Sequence, residues 1–112
     1  MNGLTFLDPG MLRHEMMLQE AVAIPDGTGG HDEEWREVAV VFALIEPIRG
    51  NSFFAAGQRH EAVTHKVTLR HRDDVKSGMR FLRLGRALMI TDLHDPDESG
   101  RYLVANVREE VR

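Results

Sequence analysis

Apolar and polar side chains alternate one by one from Val63 to Arg72, and this period of two fits an extended strand and not a helix. One face carries Val63, His65, Val67, Leu69 and His71, and the other carries Thr64, Lys66, Thr68, Arg70 and Arg72. The first face is apolar enough for a core, whereas the second is polar and basic. The pattern predicts an antiparallel strand with one buried face and one solvated face.

Other segments have the length and composition of strands, and turn-forming residues separate them. Strands are predicted at 12–24, 35–46, 79–84, 87–93 and 101–108, with turns at 25–30, 73–78, 95–100 and Gly85-Arg86. Residues 12–24 also fit a helix, but the glycine-rich turn that follows favours a hairpin and therefore a strand. The fold class is predicted to be all-β, a small antiparallel β-barrel or sandwich of about six strands.

Two segments do not fit the strand pattern. Residues 48–62 predict one short helix between strands two and three, over 53–56, with Asn51 or Ser52 as its N-cap and Gly57 after its end. Residues 1–11 contain two turn-forming clusters and predict a flexible N-terminal arm that carries apolar side chains. A chain of 112 residues forms one domain, so residues 12–112 are predicted to be a single β-barrel domain.

The second predicted strand is unusual because both of its faces are apolar between Val38 and Ile45. Such a strand is covered on both sides by its own chain, or it is buried in an oligomer. Pro47 is expected to end it, since proline has no N–H to donate to a neighbouring strand.

No motif in the sequence carries recognisable chemistry. The chain has no cysteine, its six histidines lack ligand spacing, and its acidic turn at 95–100 lacks the calcium-loop pattern. The serines lie in no nucleophile motif, and the glycine-rich loop lacks the Lys-Ser/Thr that follows a phosphate-binding loop. We therefore expect neither an enzyme nor a cofactor. No apolar run is long enough to span a membrane, and no secretory signal is expected.

The charge balance limits a nucleic-acid function. Formal net charge is -4, whereas binding to phosphates needs lysines and arginines. One predicted strand face carries a basic strip of Lys66, Arg70 and Arg72. Two interpretations stay open: the strip is a face exposed to solvent or to another subunit, or it contacts DNA phosphates. An oligonucleotide-binding type of small barrel stays the alternative function. Its expected aromatic platform is missing near the strip, and Trp35 lies among glutamates.

In their order along the chain, several features resemble the phage head–tail joining proteins, also called head-closure or stopper proteins, including those of gene transfer agents. The features are Leu12-Arg13-His14, the glycine-bearing loop 26–30 before Trp35, the strand end Ile45-Glu46-Pro47, Gly50 before Phe53-Phe54-Ala55-Ala56, the strand 63–70, Gly78-Met79-Arg80, and Asp95-Pro96. The resemblance covers about residues 12–108. It depends on these features occurring together in this order and not on a single motif. The chain departs from the family in a longer N-terminal arm and in Leu82–Leu84, where members often carry Tyr or Phe.

The resemblance implies a structural virion protein of the head–tail connector. It implies a homo-oligomeric ring of six or twelve copies that closes the DNA-filled head and docks the tail. The implied partners are a portal-adaptor ring above, a tail-terminator or tail protein below, and the backbone of packaged double-stranded DNA. The implied location is a virion or phage-like particle, assembled in the bacterial cytoplasm.

Three surfaces follow as candidate sites. The subunit-interface or channel-facing segment comprises Ile48, Arg49, Asn51, Phe53, Phe54, Gln58 and Arg59. The candidate contacts with other rings are Phe6, Leu7, Asp26, Gly27, Gly29, Gly30 and His31. The candidate DNA-facing strip comprises Lys66, Arg70 and Arg72.

Overall fold

The computed structural model describes residues 8–48 and 63–110, and most of these residues are in extended strands. A 3₁₀ turn, Pro9–Met11, precedes β1 (His14–Pro25), β2 (His31–Pro47), β3 (His65–Arg70), β4 (Arg80–Arg83), β5 (Arg86–His94) and β6 (Tyr102–Glu109). The strands form a closed antiparallel barrel in the order β1-β2-β3-β6-β5-β4. The predicted all-β class with six strands is confirmed, whereas the helix predicted at 53–56 lies outside the described residues.

The barrel interior is filled by one face of each strand, as the alternation predicts. The largest side chains with almost no solvent exposure there include Phe81, Met16, Leu18, Leu69 and Leu88. Burying each of these side chains contributes about 1.5–3 kcal/mol, so the interior supplies most of the stabilising free energy. The short strand β4 closes the barrel on β1, with Leu18 opposite Phe81. No helix among the described residues is long and apolar enough to cross a membrane.

The ends of several strands differ from the sequence predictions. β2 begins at His31 and not at Trp35, because its polar first residues pair with the end of β1, Pro25 lying opposite His31. β3 is shorter than predicted and covers His65–Arg70. The β4–β5 turn lies at Leu84-Gly85, one residue before the predicted turn, because Arg83 pairs with Arg86.

The N-terminal arm predicted at 1–11 is only partly described. Residues 1–7 lie outside the described part, but the Asp8 side chain caps the 3₁₀ turn by accepting from the backbone N–H of Gly10 at 2.9 Å. Leu12 follows this turn and is buried at 9% exposure. The described structure thus includes residues 8–11 of the predicted arm, and the domain start at residue 12 stays a prediction.

The β1–β2 hairpin extends beyond the barrel. β1 pairs with β4 only from Met17 to Gln19, and β2 pairs with β3 only from Ala43 to Pro47. In the described part of the chain, no third strand pairs with the hairpin from Glu20 to Glu37. A β-bulge at Val38 marks the place where the hairpin leaves the barrel, since Leu18 lies opposite Ala39 and Gln19 opposite Glu37.

Candidate functional site

The outer face of β2 exposes large apolar side chains. Val40 is 49% exposed and Phe42 is 53% exposed, while Val41 and Ala43 between and beside them point into the core. Register places Met17 of β1 opposite both Val40 and Leu82 of β4. We call Met17, Val40, Phe42, Leu82 and Leu84 the apolar patch. The sequence left two explanations for a strand with two apolar faces, which were coverage by its own chain and burial in an oligomer. At Val40 and Phe42, the first explanation is wrong for the described strands, because none of them covers the outer face.

Leu84 extends the apolar patch from a strained turn. It has φ +51°, its neighbour Gly85 has φ +79°, and the side chain of Leu84 is 86% exposed. A two-residue turn of this kind favours Asn or Gly at both positions, because an L side chain is strained at positive φ. A leucine that is both strained and exposed does not stabilise the fold. Strained residues of this kind cluster at functional sites.

The hairpin beyond the bulge is strongly acidic. Between residues 20 and 37 it carries six carboxylates and one arginine: Glu20, Asp26, Asp32, Glu33, Glu34, Glu37 and Arg36. Arg36 lies 3.8 Å from Glu20 in an exposed ion pair, so the carboxylates nearer the tip have no basic neighbour on the hairpin. We call residues 20–37 the acidic hairpin.

Asp26 organises the tip of the acidic hairpin. Its Oδ1 accepts from the backbone N–H of Thr28 at 2.9 Å, from the Thr28 hydroxyl at 2.8 Å and from the backbone N–H of Gly30 at 3.1 Å. The backbone N–H of Thr28 is the main cause of a lowered pKa of the Asp26 carboxyl. Gly27 and Gly29 have φ of +86° and +89°, which other residues rarely adopt. The turn predicted at 25–30 is thus present, held by the Asp26 carboxylate.

A polar contact holds the base of the acidic hairpin against β4. The guanidinium of Arg80 lies 4.1 Å from the centroid of the Trp35 ring. The same guanidinium donates from Nε to Oε1 of Gln19 at 2.7 Å. Gln19 is 6% exposed although its register places it on the outer face. The contact thus joins β4 to both strands of the hairpin at the place where the hairpin leaves the barrel.

The predicted basic strip is largely neutralised by neighbouring carboxylates. Lys66 lies 3.7 Å from Glu46, and Arg72 donates to both oxygens of Asp74 at 2.9 and 2.8 Å. The Arg72 hydrogen bonds are the main cause of a lowered pKa of the Asp74 carboxyl. Arg70 has no ion-pair partner among the described residues. Thr68, between Lys66 and Arg70, is buried at 1% exposure, so the strip is not a continuous solvated face.

Most of the predicted interface segment lies outside the described residues. Six of its seven residues are outside the described part: Arg49, Asn51, Phe53, Phe54, Gln58 and Arg59. Phe6 and Leu7, from the predicted inter-ring set, are outside it as well. Ile48 is half-buried, and its backbone N–H donates to the carbonyl of Thr64 at 2.9 Å. Ile48 and Thr64, on either side of the residues outside the described part, therefore lie side by side at one end of the barrel. The inter-ring candidates Asp26, Gly27, Gly29 and His31 are exposed, and Gly30 is half-buried, all at the hairpin tip.

The surfaces of the molecule indicate a class of protein. Within residues 8–48 and 63–110, no cluster of three or more His, Asp or Glu side chains could hold a metal ion. What the barrel presents is an exposed apolar face, a strained leucine and a projecting charged hairpin. These features are typical of a structural subunit that contacts other protein chains.

Comparison with known proteins identifies the family. Residues 7–110 match the phage head completion protein family, and the chain belongs to that family. It is a structural virion component with a role in completing the head of a phage or phage-like particle. The resemblance inferred from the sequence is thereby confirmed.

Solved structures agree with this membership. The chain is similar to a chain in the virion of a native gene transfer agent particle, with 27% identity, a TM-score of 0.68, and coverage of 89% of this chain and 96% of that one. It also shares its fold with the solution structure of a Shigella flexneri 2a protein, with 23% identity, a TM-score of 0.72, and coverage of 94% and 98%. No curated protein matches the chain in sequence.

The sequence predictions did not single out the apolar patch or the Arg80 contact. A signal for the patch was present, since a strand with two apolar faces requires a second covering surface. Leu84 could also have been noticed, because it lies next to Gly85 between two strands where Asn is expected. The contact of Arg80 with Trp35 joins residues far apart in sequence, and no local pattern reveals it.

Proposed function

We propose that the chain forms a ring in the head–tail connector, closes the DNA-filled head and docks the tail. The observation that carries the proposal is the outer face of β2, where Val40 and Phe42 stay exposed in a family of head-completion proteins. A monomeric soluble protein rarely leaves such a patch uncovered. In this role the chain acts as a structural part and not as an enzyme.

A ring requires two different surfaces on each subunit. Contacts in a cyclic assembly are head-to-tail, so one patch meets a different patch on the next copy. The barrel offers the apolar patch on one region and the acidic hairpin on another. The portal-adaptor ring and the tail protein then contact what the ring leaves exposed, for which the tip residues Asp26 to His31 and the N-terminal Phe6 and Leu7 are our candidates.

The experiment uses particles that lack this chain. We expect tailless heads that lose DNA, and we expect added purified chain to restore tails and DNA retention. Electron microscopy counts the tailed particles, and nuclease sensitivity measures the DNA that has left the head. Normal tail attachment and normal DNA retention in particles without the chain would contradict the proposal.

The predicted interface segment is a separate part of the proposal. What supports it is the described boundary at the β2–β3 end of the barrel, where the backbone N–H of Ile48 donates to the carbonyl of Thr64. We expect Phe54→Asp to leave the isolated subunit folded and to prevent its assembly into particles. If the variant unfolds in isolation, Phe54 belongs to the core and the interface role fails.

DNA contact is proposed for the basic strip. Lys66 and Arg72 already have carboxylate partners, and both the net charge and the hairpin are acidic. Contact with DNA phosphates is therefore weak, which lets DNA slide past without sticking. Arg70→Ala should leave head closure intact and speed DNA release only slightly. Tight, salt-dependent binding of DNA by the free chain would instead support the oligonucleotide-binding alternative.

A further inference from the structure

The apolar patch has a basic rim. Arg13 and Arg83 line one shallow cleft together with Met17, Val40, Leu82 and Leu84. Neither arginine has a carboxylate partner among the described residues, and Glu15 is the acidic residue that shares the cleft. An apolar centre with unpaired arginines at its edge fits a partner surface that is itself apolar and acidic.

The acidic hairpin has that composition. Val22 lies opposite Glu34, and Ile24 lies opposite Asp32, so two half-exposed apolar side chains alternate with two carboxylates on one hairpin face. Neither Glu34 nor Asp32 forms an ion pair with a basic side chain of the described residues. Because two acidic hairpins repel each other, the hairpin does not contact its own counterpart in a neighbouring copy.

We propose that the acidic hairpin of one copy docks on the apolar patch of the next copy, with Asp32 and Glu34 beside Arg13 and Arg83. The inference rests on the proposed ring and names its two surfaces. The occupant of the patch is a second copy of this chain, because each copy carries both an apolar, basic cleft and an apolar, acidic hairpin. The contact of Arg80 with Trp35 and Gln19 ties both strands of the hairpin to β4, and such a tie favours the same hairpin position in every copy, which a repeated ring contact requires.

Two charge-reversed variants of the full chain test the contact. The hairpin variant carries Asp32→Lys and Glu34→Lys, and the patch variant carries Arg13→Glu and Arg83→Glu. Each variant alone brings like charges together at every subunit contact, which weakens that contact. We expect each to lower its incorporation into particles, and the yield of tailed particles, by about tenfold or more.

Mixing the two variants gives the decisive result. A reversed hairpin fits a reversed patch, and a normal hairpin fits a normal patch, so alternating copies satisfy every contact in a ring of even number. We expect equimolar coexpression to restore incorporation and tails. Failure of the mixture to recover, although each variant alone fails, would assign these surfaces to another virion protein and overturn the inference. Normal incorporation of either variant alone would overturn it as well.

Two controls separate the possible failures. Arg13, Asp32 and Glu34 are exposed and Arg83 is half-buried, so thermal unfolding of each purified variant should match that of the parent chain; a variant that unfolds early is replaced by its single substitutions. Because the chain has no cysteine, a Glu34→Cys, Leu84→Cys chain gives an independent readout. A bis-maleimide should link neighbouring copies in particles. If the parent chain restores tails but this chain is never linked between copies, the docking mode fails and the proposed function stands.

Discussion

The guanidinium of Arg80 in β4 stacks on the ring of Trp35 in β2, 4.1 Å from its centroid. The two residues come from strands that do not pair with each other; β1 lies between them in the sheet. The stack therefore spans the strand whose far half forms the acidic hairpin. Arg80 also satisfies Oε1 of the buried Gln19, so a single side chain joins three strands at the point where the hairpin leaves the barrel.

Arg80→Ala should destabilise the subunit by about 1–3 kcal/mol, because it removes the stacked cation and leaves the buried amide of Gln19 without its partner. Urea unfolding measures the loss. Arg80→Lys is the matched control: it keeps the charge but not the planar fork, and we expect an intermediate loss. Equal stability of all three chains would show that the stack does not hold the hairpin.

Phe42 and Phe81 form a matched pair that separates docking from folding. Phe81 is fully buried, so Phe81→Ala should cost about 3–5 kcal/mol of unfolding free energy. Phe42 is 53% exposed, so Phe42→Ser should cost about 1 kcal/mol or less. Tail attachment should nevertheless fall with Phe42→Ser. A large stability loss at Phe42 would make it a core residue and remove it from the apolar patch.

Leu84→Asn should make the isolated subunit more stable and less able to assemble. Asparagine tolerates the positive φ of this turn position, so the change should raise the free energy of unfolding by about 1 kcal/mol. It also removes an apolar side chain that is 86% exposed. Thermal unfolding and counts of tailed particles measure the two effects. If assembly is unchanged while stability rises, nothing contacts Leu84 in the particle.

The tip of the acidic hairpin should respond to pH only under strong acid. The N–H and hydroxyl donors of Thr28 hold the pKa of Asp26 below its ordinary value of 3.8, so the folded pKa lies below the unfolded one. The contribution of the ionised carboxylate is thus present above the ordinary value and is lost as pH falls through the lowered pKa. Carboxyl NMR titration measures the shift. Thr28→Ala removes one of the donors and should move the pKa part of the way back.

Local sequence patterns determined the class of fold and its family. Alternation with a period of two marks a strand wherever one face is buried, and turn residues at 25–30, 73–78 and 95–100 divide the strands. These signals depend on neighbours along the chain, so residues 63–72 could be assigned without coordinates. The ordered set of features was likewise enough to indicate the head-completion family.

Tertiary structure decided which surfaces stay exposed. Whether Val40 and Phe42 are covered depends on where β3 stops pairing with β2, and that register is set by residues distant in sequence. The projection of the hairpin depends on the bulge at Val38 and on the single short pairing of β1 with β4. The basic strip seen in the sequence lost part of its character for the same reason, because Glu46 on the neighbouring strand pairs with Lys66. The pair of Arg72 with Asp74, by contrast, is local in sequence.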